Sequence, residues 1–228
     1  MTNGGLWRRN KALNDTVYLE ACHADYLGRE NSNNVRKVRW CAAELGLSYQ
    51  HINAGGAYGK VDEQQYRALN PNGLVPLLQD DDFVLWESNT IVRYLAAKYG
   101  DAPFYPQDLQ QRAAAEKWMD WNTASVTEPF RTVFWGLVRT LPEQRDMLKI
   151  EAAIASLEKC FDIVEQELGR QPYLSGEAFG IGDIPLGSFI YAWFEMPIER
   201  QQRPNMERWY QQLCARPAYR SGVMTPLT

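Results

Sequence analysis

Two rhythms of apolar and polar positions divide the chain near Gly100. Before it, short apolar runs of strand character alternate with stretches of helical period. Val35, Val38, Ala42 and Leu45 recur at helical spacing with Gly46 as a stop, which predicts a helix. Residues 47–55 predict a strand, and 62–71 a short helix opened by Asp62 and closed before Pro71. Residues 74–87 predict two short strands around an acidic turn, Asp80 to Asp82. Residues 88–100 predict a helix with Ser88 as N-cap and Gly100 past its end. Upstream, residues 16–28 offer two candidate strands, and Asp25 would sit awkwardly in a central one.

The order strand, helix, strand, helix, strand, strand, helix has the pattern of a thioredoxin-like α/β unit. After a Pro-rich stretch over 100–108 no strand pattern returns. Helical periods run over about 108–128, 144–168, 181–195 and 205–215, punctuated by Pro129, Pro142, Pro172 and Pro204. The expected organisation is an N-terminal extension over 1–22, an α/β domain over 23–100, a linker over 101–110 and an all-α bundle over 111–228.

Composition is ordinary for a soluble globular protein, 45% hydrophobic and 23% charged. The net charge of −4 argues against a nucleic-acid partner, because phosphate binding wants a basic face. No apolar run reaches the ~18 residues of a membrane span. The polar start, with its Arg8-Arg9 pair, lacks the apolar segment of an export signal, so a cytoplasmic location is expected. The four cysteines, Cys22, Cys41, Cys160 and Cys214, are far apart, which suits reduced thiols and no metal or dithiol site.

Two stretches carry chemistry. In "NPNGLVPLL" Pro76 falls inside a strand-like run, where it cannot donate to a sheet ladder. Either Pro76 opens the strand in the trans form, or a cis Val75-Pro76 bond turns neighbouring backbone groups outward to meet an extended peptide. In "LWESNTIVRYLA" Glu87-Ser88 stands at a helix mouth. Helix N-termini present unpaired N–H groups that suit a carboxylate, and Glu87 beside them suits an ammonium. The pair reads as a receptor for an α-amino-acid headgroup, or Ser88 is a plain N-cap.

Together these stretches resemble soluble, bacterial-type glutathione S-transferases. "NPNGLVPLL" is similar to that family's N-P-x-G-x-V-P segment, and "ESNTIVRYLA" to its E-S-x-A-I-x-x-Y-L segment. "GRENSNNVRKVRWCAAELGL" resembles the passage from first strand to first helix, and "FGIGDIPLG" the helix-opening box of the second domain. The likeness covers roughly Gly28 to Ala218. It implies a thioredoxin-like N-terminal domain plus an all-α C-terminal domain, glutathione as co-substrate without a metal, a homodimer, and detoxifying transfer to a small electrophile. By the same resemblance Val75 pairs its backbone with the cysteinyl unit beside a cis Pro76, and Glu87 and Ser88 hold the γ-glutamyl end. Asn72 lies in the first segment, and the glycyl end falls toward the 53–60 loop with Lys60 as candidate.

Such chemistry needs a thiolate near neutral pH. Lowering a thiol by about two units takes about 2.7 kcal/mol. One charge-assisted hydrogen bond supplies roughly 1.5–3 kcal/mol, so a single donor at the start of the first helix is enough. Ser32 is favoured, with Asn34 and Asn31 as alternatives and Tyr26 as a substitute. No cysteine stands there, which excludes a mixed-disulfide mechanism of the cysteine type. The electrophile pocket is expected against Trp118, Trp121, Asn122 and Phe130, with Phe134 and Trp135 after a break at Pro129. Arg131 and Arg139 would favour an acidic electrophile. The box at Gly180 to Asp183 lacks its usual hydroxyl, which predicts modest destabilisation. A glutathione-dependent reductase, isomerase or dehalogenase, and a non-catalytic scaffold, remain the alternatives.

Overall fold

The computed structural model describes residues 24–228. The expected 1–22 extension, the first candidate strand and Cys22 lie outside the described residues. β1 (Ala24–Leu27) carries Tyr26 and Leu27 on opposite faces, both buried. It pairs parallel with β2 (Tyr49–Ile52) and antiparallel with β3 (Leu77–Asp80), which pairs antiparallel with β4 (Phe83–Trp86). The sheet order is β2-β1-β3-β4, so half-buried Asp25 does lie in a central strand.

Register decides what each face covers. Tyr26 opposite Leu78 joins the large core with α1 (Asn33–Glu44) and α3 (Ser88–Tyr99). Leu27 opposite Leu77 builds a smaller core with Ala54 and with Tyr66 of α2 (Gln64–Leu69). Three expected details change here. Glu63, not Asp62, caps α2, because Asp62 instead pairs with Arg67 at 2.6 Å. Asp80 closes β3 and is buried, accepting from Lys98 Nζ at 2.6 Å and Tyr94 Oη at 2.7 Å. Burial pushes its carboxyl up, but these donors outweigh that and hold it below the usual range. Glu87, not Ser88, is the cap of α3, and Ser88 is its first helical residue.

The second half is helical. The single helix expected over 108–128 is α4 (Leu109–Trp121), a π-helical turn (Asn122–Val126) and α5 (Thr127–Phe134), continued by a second π turn (Trp135–Arg139). Pro129 sits within α5 and does not break it. Proline lacks the N–H that the carbonyl of residue 125 would accept, and Cys160 Sγ approaches Ser125 O at 3.8 Å instead. α6 (Met147–Leu168), α7 (Asp183–Glu195) and α8 (Pro204–Cys214) follow, with an unanticipated α9 (Pro217–Gly222) packed on α1.

Trp40 locks α1 into the helical half. A Cβ on Gly187 would come within 2.6 Å of its ring, and one on Gly222 within 2.8 Å of its backbone. Glu44 takes Arg216 through two contacts of 2.7 Å and the Trp40 indole N–H at 2.8 Å. The expected box also differs. α7 starts at Asp183, and its carboxylate accepts from Leu174 N (2.8 Å), Ser175 N (3.3 Å), Gly180 N (3.1 Å) and Trp209 Nε1 (2.9 Å). Ser175 supplies the missing hydroxyl, accepting from Gly182 N at 3.0 Å. It lies 3.0 Å from where a Gly180 Cβ would stand.

Candidate active site

Ser32 precedes α1 in extended conformation, φ −89° and ψ 124°, its carbonyl accepting from Arg36 N at 2.9 Å. Its hydroxyl makes no capping bond and has no hydrogen-bond partner among the described residues. A half-buried hydroxyl is thus left at the positive end of a helix. Asn31 is committed elsewhere: its Nδ2 donates to Thr228 Oγ1 at 2.7 Å and its Oδ1 accepts from Arg29 Nη1 at 3.3 Å. Asn34 Oδ1 accepts from Ser88 Oγ at 3.3 Å and so ties α1 to α3. Tyr26 is sealed in the sheet between Tyr49 and His51, with burial pushing its phenol far above the ordinary value. That makes it a core residue, not a donor.

At the start of α3, Glu87 is exposed and left-handed at φ 74°, while Ser88 is buried. The Val75-Pro76 peptide is cis, as is Ala102-Pro103, which the sequence reading did not foresee. β3 begins only at Leu77, and Val75 makes no backbone hydrogen bond among the described residues. The 53–60 loop abuts Val75: Gly55 is at φ +81°, and a Cβ there would meet Val75 Cγ1 at 3.3 Å. Lys60 stands exposed at the end of that loop, at φ 67°. Asn72 is exposed, its Nδ2 donating to Asn70 Oδ1 at 3.1 Å within the turn.

Two buried cations of α1 escaped the sequence reading. Arg36 donates to Asn33 Oδ1 at 3.1 Å and Thr225 Oγ1 at 2.7 Å, and burial pushes it down to about 10. Lys37 donates to Ser88 Oγ at 3.4 Å, and burial pushes it down to about 7. A signal existed for Lys37. Asn34, Lys37 and Cys41 share one helix face by spacing, and all three turn to α3, Cys41 Sγ reaching Val92 O at 3.9 Å.

Of the pocket candidates, Trp118, Asn122 and Phe130 are buried and Trp121 is half-buried. Trp118 and Trp121 meet edge-on at 5.3 Å. Phe130 meets Phe189 of α7 at 4.7 Å, and the Phe189 ring faces Lys37 Nζ at 5.3 Å. The Asn122 amide has no partner among the described residues. Arg139 donates to Thr228 O at 2.8 and 3.1 Å, beside Asn31, whereas Arg131 pairs with Glu128 at the surface. An open cleft of about 440 Å³ lies beyond, lined by Arg131, Trp135, Arg145 and Ile150.

Comparison with known proteins bears on this geometry. Residues 27–103 match the family model of the glutathione S-transferase N-terminal domain, and 149–212 that of its C-terminal domain. Glutathione S-transferase GstB of Escherichia coli K12 is 46% identical, over 88% of this chain and 98% of its own. The crystal structure of the theta class glutathione S-transferase from Xanthomonas axonopodis pv. citri with glutathione bound superposes with TM-score 0.88 at 55% identity, covering 90% of this chain and 99% of that one. Glutathione S-transferase PARB of Nicotiana tabacum is 27% identical over 86% of this chain and 95% of its own. With cis Val75-Pro76, Glu87-Ser88 and the open start of α1 on one four-stranded sheet, the chain belongs to the glutathione S-transferase family.

Proposed function

We propose that this chain conjugates glutathione to a small electrophile, with Ser32 holding the thiolate. The Ser32 hydroxyl donates to the sulfur, and the α1 N-terminus adds about 0.3–1 kcal/mol of field. The sulfur then bonds to the electrophilic carbon, and either a leaving group departs with its electron pair or an added proton completes the product. Val75 pairs its backbone with the cysteinyl unit, Glu87 meets the γ-glutamyl ammonium, and Ser88 meets its carboxylate. The glycyl end lies toward Lys60, with Asn72 in the neighbouring turn. Trp121 and the layer of Trp118, Asn122 and Phe130 back the electrophile. Arg139 near the start of α1 favours an acidic one. Domains over 23–100 and 111–228, a homodimer and a cytoplasmic location complete the reading. Among the described residues no helix is long and apolar enough to cross a membrane.

One observation carries this reading: the Ser88 to Asn34 hydrogen bond joins two helix N-termini that both lack a side-chain cap. Asn31 is tied to Thr228 and the Asn34 oxygen to Ser88, whereas the Ser32 hydroxyl has no partner among the described residues, which favours Ser32 as donor. Steady-state conjugation of an aryl halide separates the roles. Ser88→Ala should raise the glutathione KM with kcat nearly kept, and Ser32→Ala should lower kcat with KM nearly kept. The opposite split would reverse the assignments.

A further inference from the structure

Lys37 carries a charge that the conjugation step does not use. Its side chain is 2% exposed, and among the described residues its ammonium has one hydrogen-bond partner, the Ser88 hydroxyl at 3.4 Å. An ammonium has three N–H donors and no lone pair. Ser88 Oγ therefore accepts from Lys37 and gives its own proton to Asn34 Oδ1, while the other ammonium donors stay unspent.

The surroundings hold little to neutralise this cation. From the start of α3 comes Glu87, exposed and too far for an ion pair, whose field opposes the effect of burial. From α7 comes the Phe189 ring, while Tyr191 on the same helix faces Arg36 at 5.9 Å. From α9, Tyr219 donates to Gly187 O and Arg220 to Cys214 O and Ala215 O. On α1 itself Arg36 is held by Asn33 and Thr225. A buried cation with spare donors, next to the uncapped start of α3, lacks an anion.

We propose that Lys37 completes an anion site at Ser88, where it neutralises the γ-glutamyl carboxylate of glutathione, so that glutathione binding puts a proton on this amine. The proposal rests on the reading that Ser88 meets that carboxylate. On binding, Ser88 turns its proton from Asn34 to the carboxylate and keeps Lys37 as its donor. Lys37 is thus a positioning residue. Burial leaves the free amine partly neutral near pH 7, and the bound carboxylate favours its charged form. Binding then takes up protons above about pH 7, and affinity falls as pH rises through that range.

The test uses S-methylglutathione, which has no thiol proton, titrated calorimetrically into the full chain in two buffers of different ionisation enthalpy, over about pH 6 to 8. The wild type should take up a fraction of a proton near the upper end and lose up to about tenfold in affinity per unit by which binding raises the amine. Lys37→Met should bind more weakly, without uptake and without pH dependence. Ser88→Ala keeps the two readings apart. If it binds as tightly as the wild type, the Ser88 reading fails and the proposal with it. If it binds weakly but the wild type shows no uptake and a flat profile, the proposal alone is overturned. Uptake that persists in Lys37→Met also overturns it.

Discussion

The helices of the two halves begin in opposite ways. In the helical half, α4, α6 and α8 have first-turn N–H groups held by the protein's own carboxylates. Asp108 accepts from Gln111 N at the start of α4, and Asp146 from Lys149 N at the start of α6. Glu165 takes the Asn205 and Met206 N–H groups of α8. In the sheet half, α1 and α3 start behind Ser32 and Glu87 with no side-chain cap at all. Leaving a helix end uncapped forfeits about 1 kcal/mol. On the proposed reading, the difference teaches where this fold uses its helix ends: for stability at α4, α6 and α8, and for a ligand's charges at α1 and α3.

Asp183→Ala should damage the helical half most severely. It strands buried N–H groups of Leu174, Gly180 and Trp209, and a loss of about 4 kcal/mol in urea unfolding is expected. Conjugation by the fraction that stays folded should be close to normal. A loss below about 1 kcal/mol would show that this buried carboxylate does not hold the helical half together.

Ser32→Ala should do the reverse. A drop in kcat/KM of about 10- to 150-fold corresponds to one charge-assisted hydrogen bond of roughly 1.5–3 kcal/mol. Its unfolding midpoint should barely move, because the hydroxyl caps nothing. A large stability change there would show that α1 was capped after all.

At α3, Ser88→Ala should raise the glutathione KM about tenfold, the worth of one good hydrogen bond to a charge. The smallest effect is expected at Gly180→Ala, whose new Cβ would press on Ser175 at 3.0 Å. A cost of about 1 kcal/mol, read as a lowered Tm, sharpens the claim that Ser175 replaces the missing box hydroxyl. An unchanged Tm would show that Ser175 yields freely.

Much of the frame was legible in the sequence, because period and punctuation are local. The 88–100 helix with Gly100 behind it and the hairpin at 74–87 follow from residues close in the chain, whereas the residues left the Pro76 bond open and only the family resemblance implied that it is cis. What was not legible depends on distant neighbours. Ser175 reaching Gly182 and Thr228 occupying Asn31 involve partners whose approach no spacing announces. Pro129 reads as a break, yet the helix absorbs it through the adjoining π turn. Lys37 was missed for another reason. Charged residues usually face water, so the face it shares with Asn34 and Cys41 was passed over, while the packing of α1 against α3, α7 and α9 puts it inside.

The most direct test is the ultraviolet thiolate band of bound glutathione, followed across pH in the wild type and in Ser32→Ala. The wild-type band should titrate about two units below the free-thiol value of about 8.5, and the variant should bind glutathione while its band moves back toward that value. A band that stays low in Ser32→Ala would take the thiolate away from Ser32 and contradict the open start of α1 as its site.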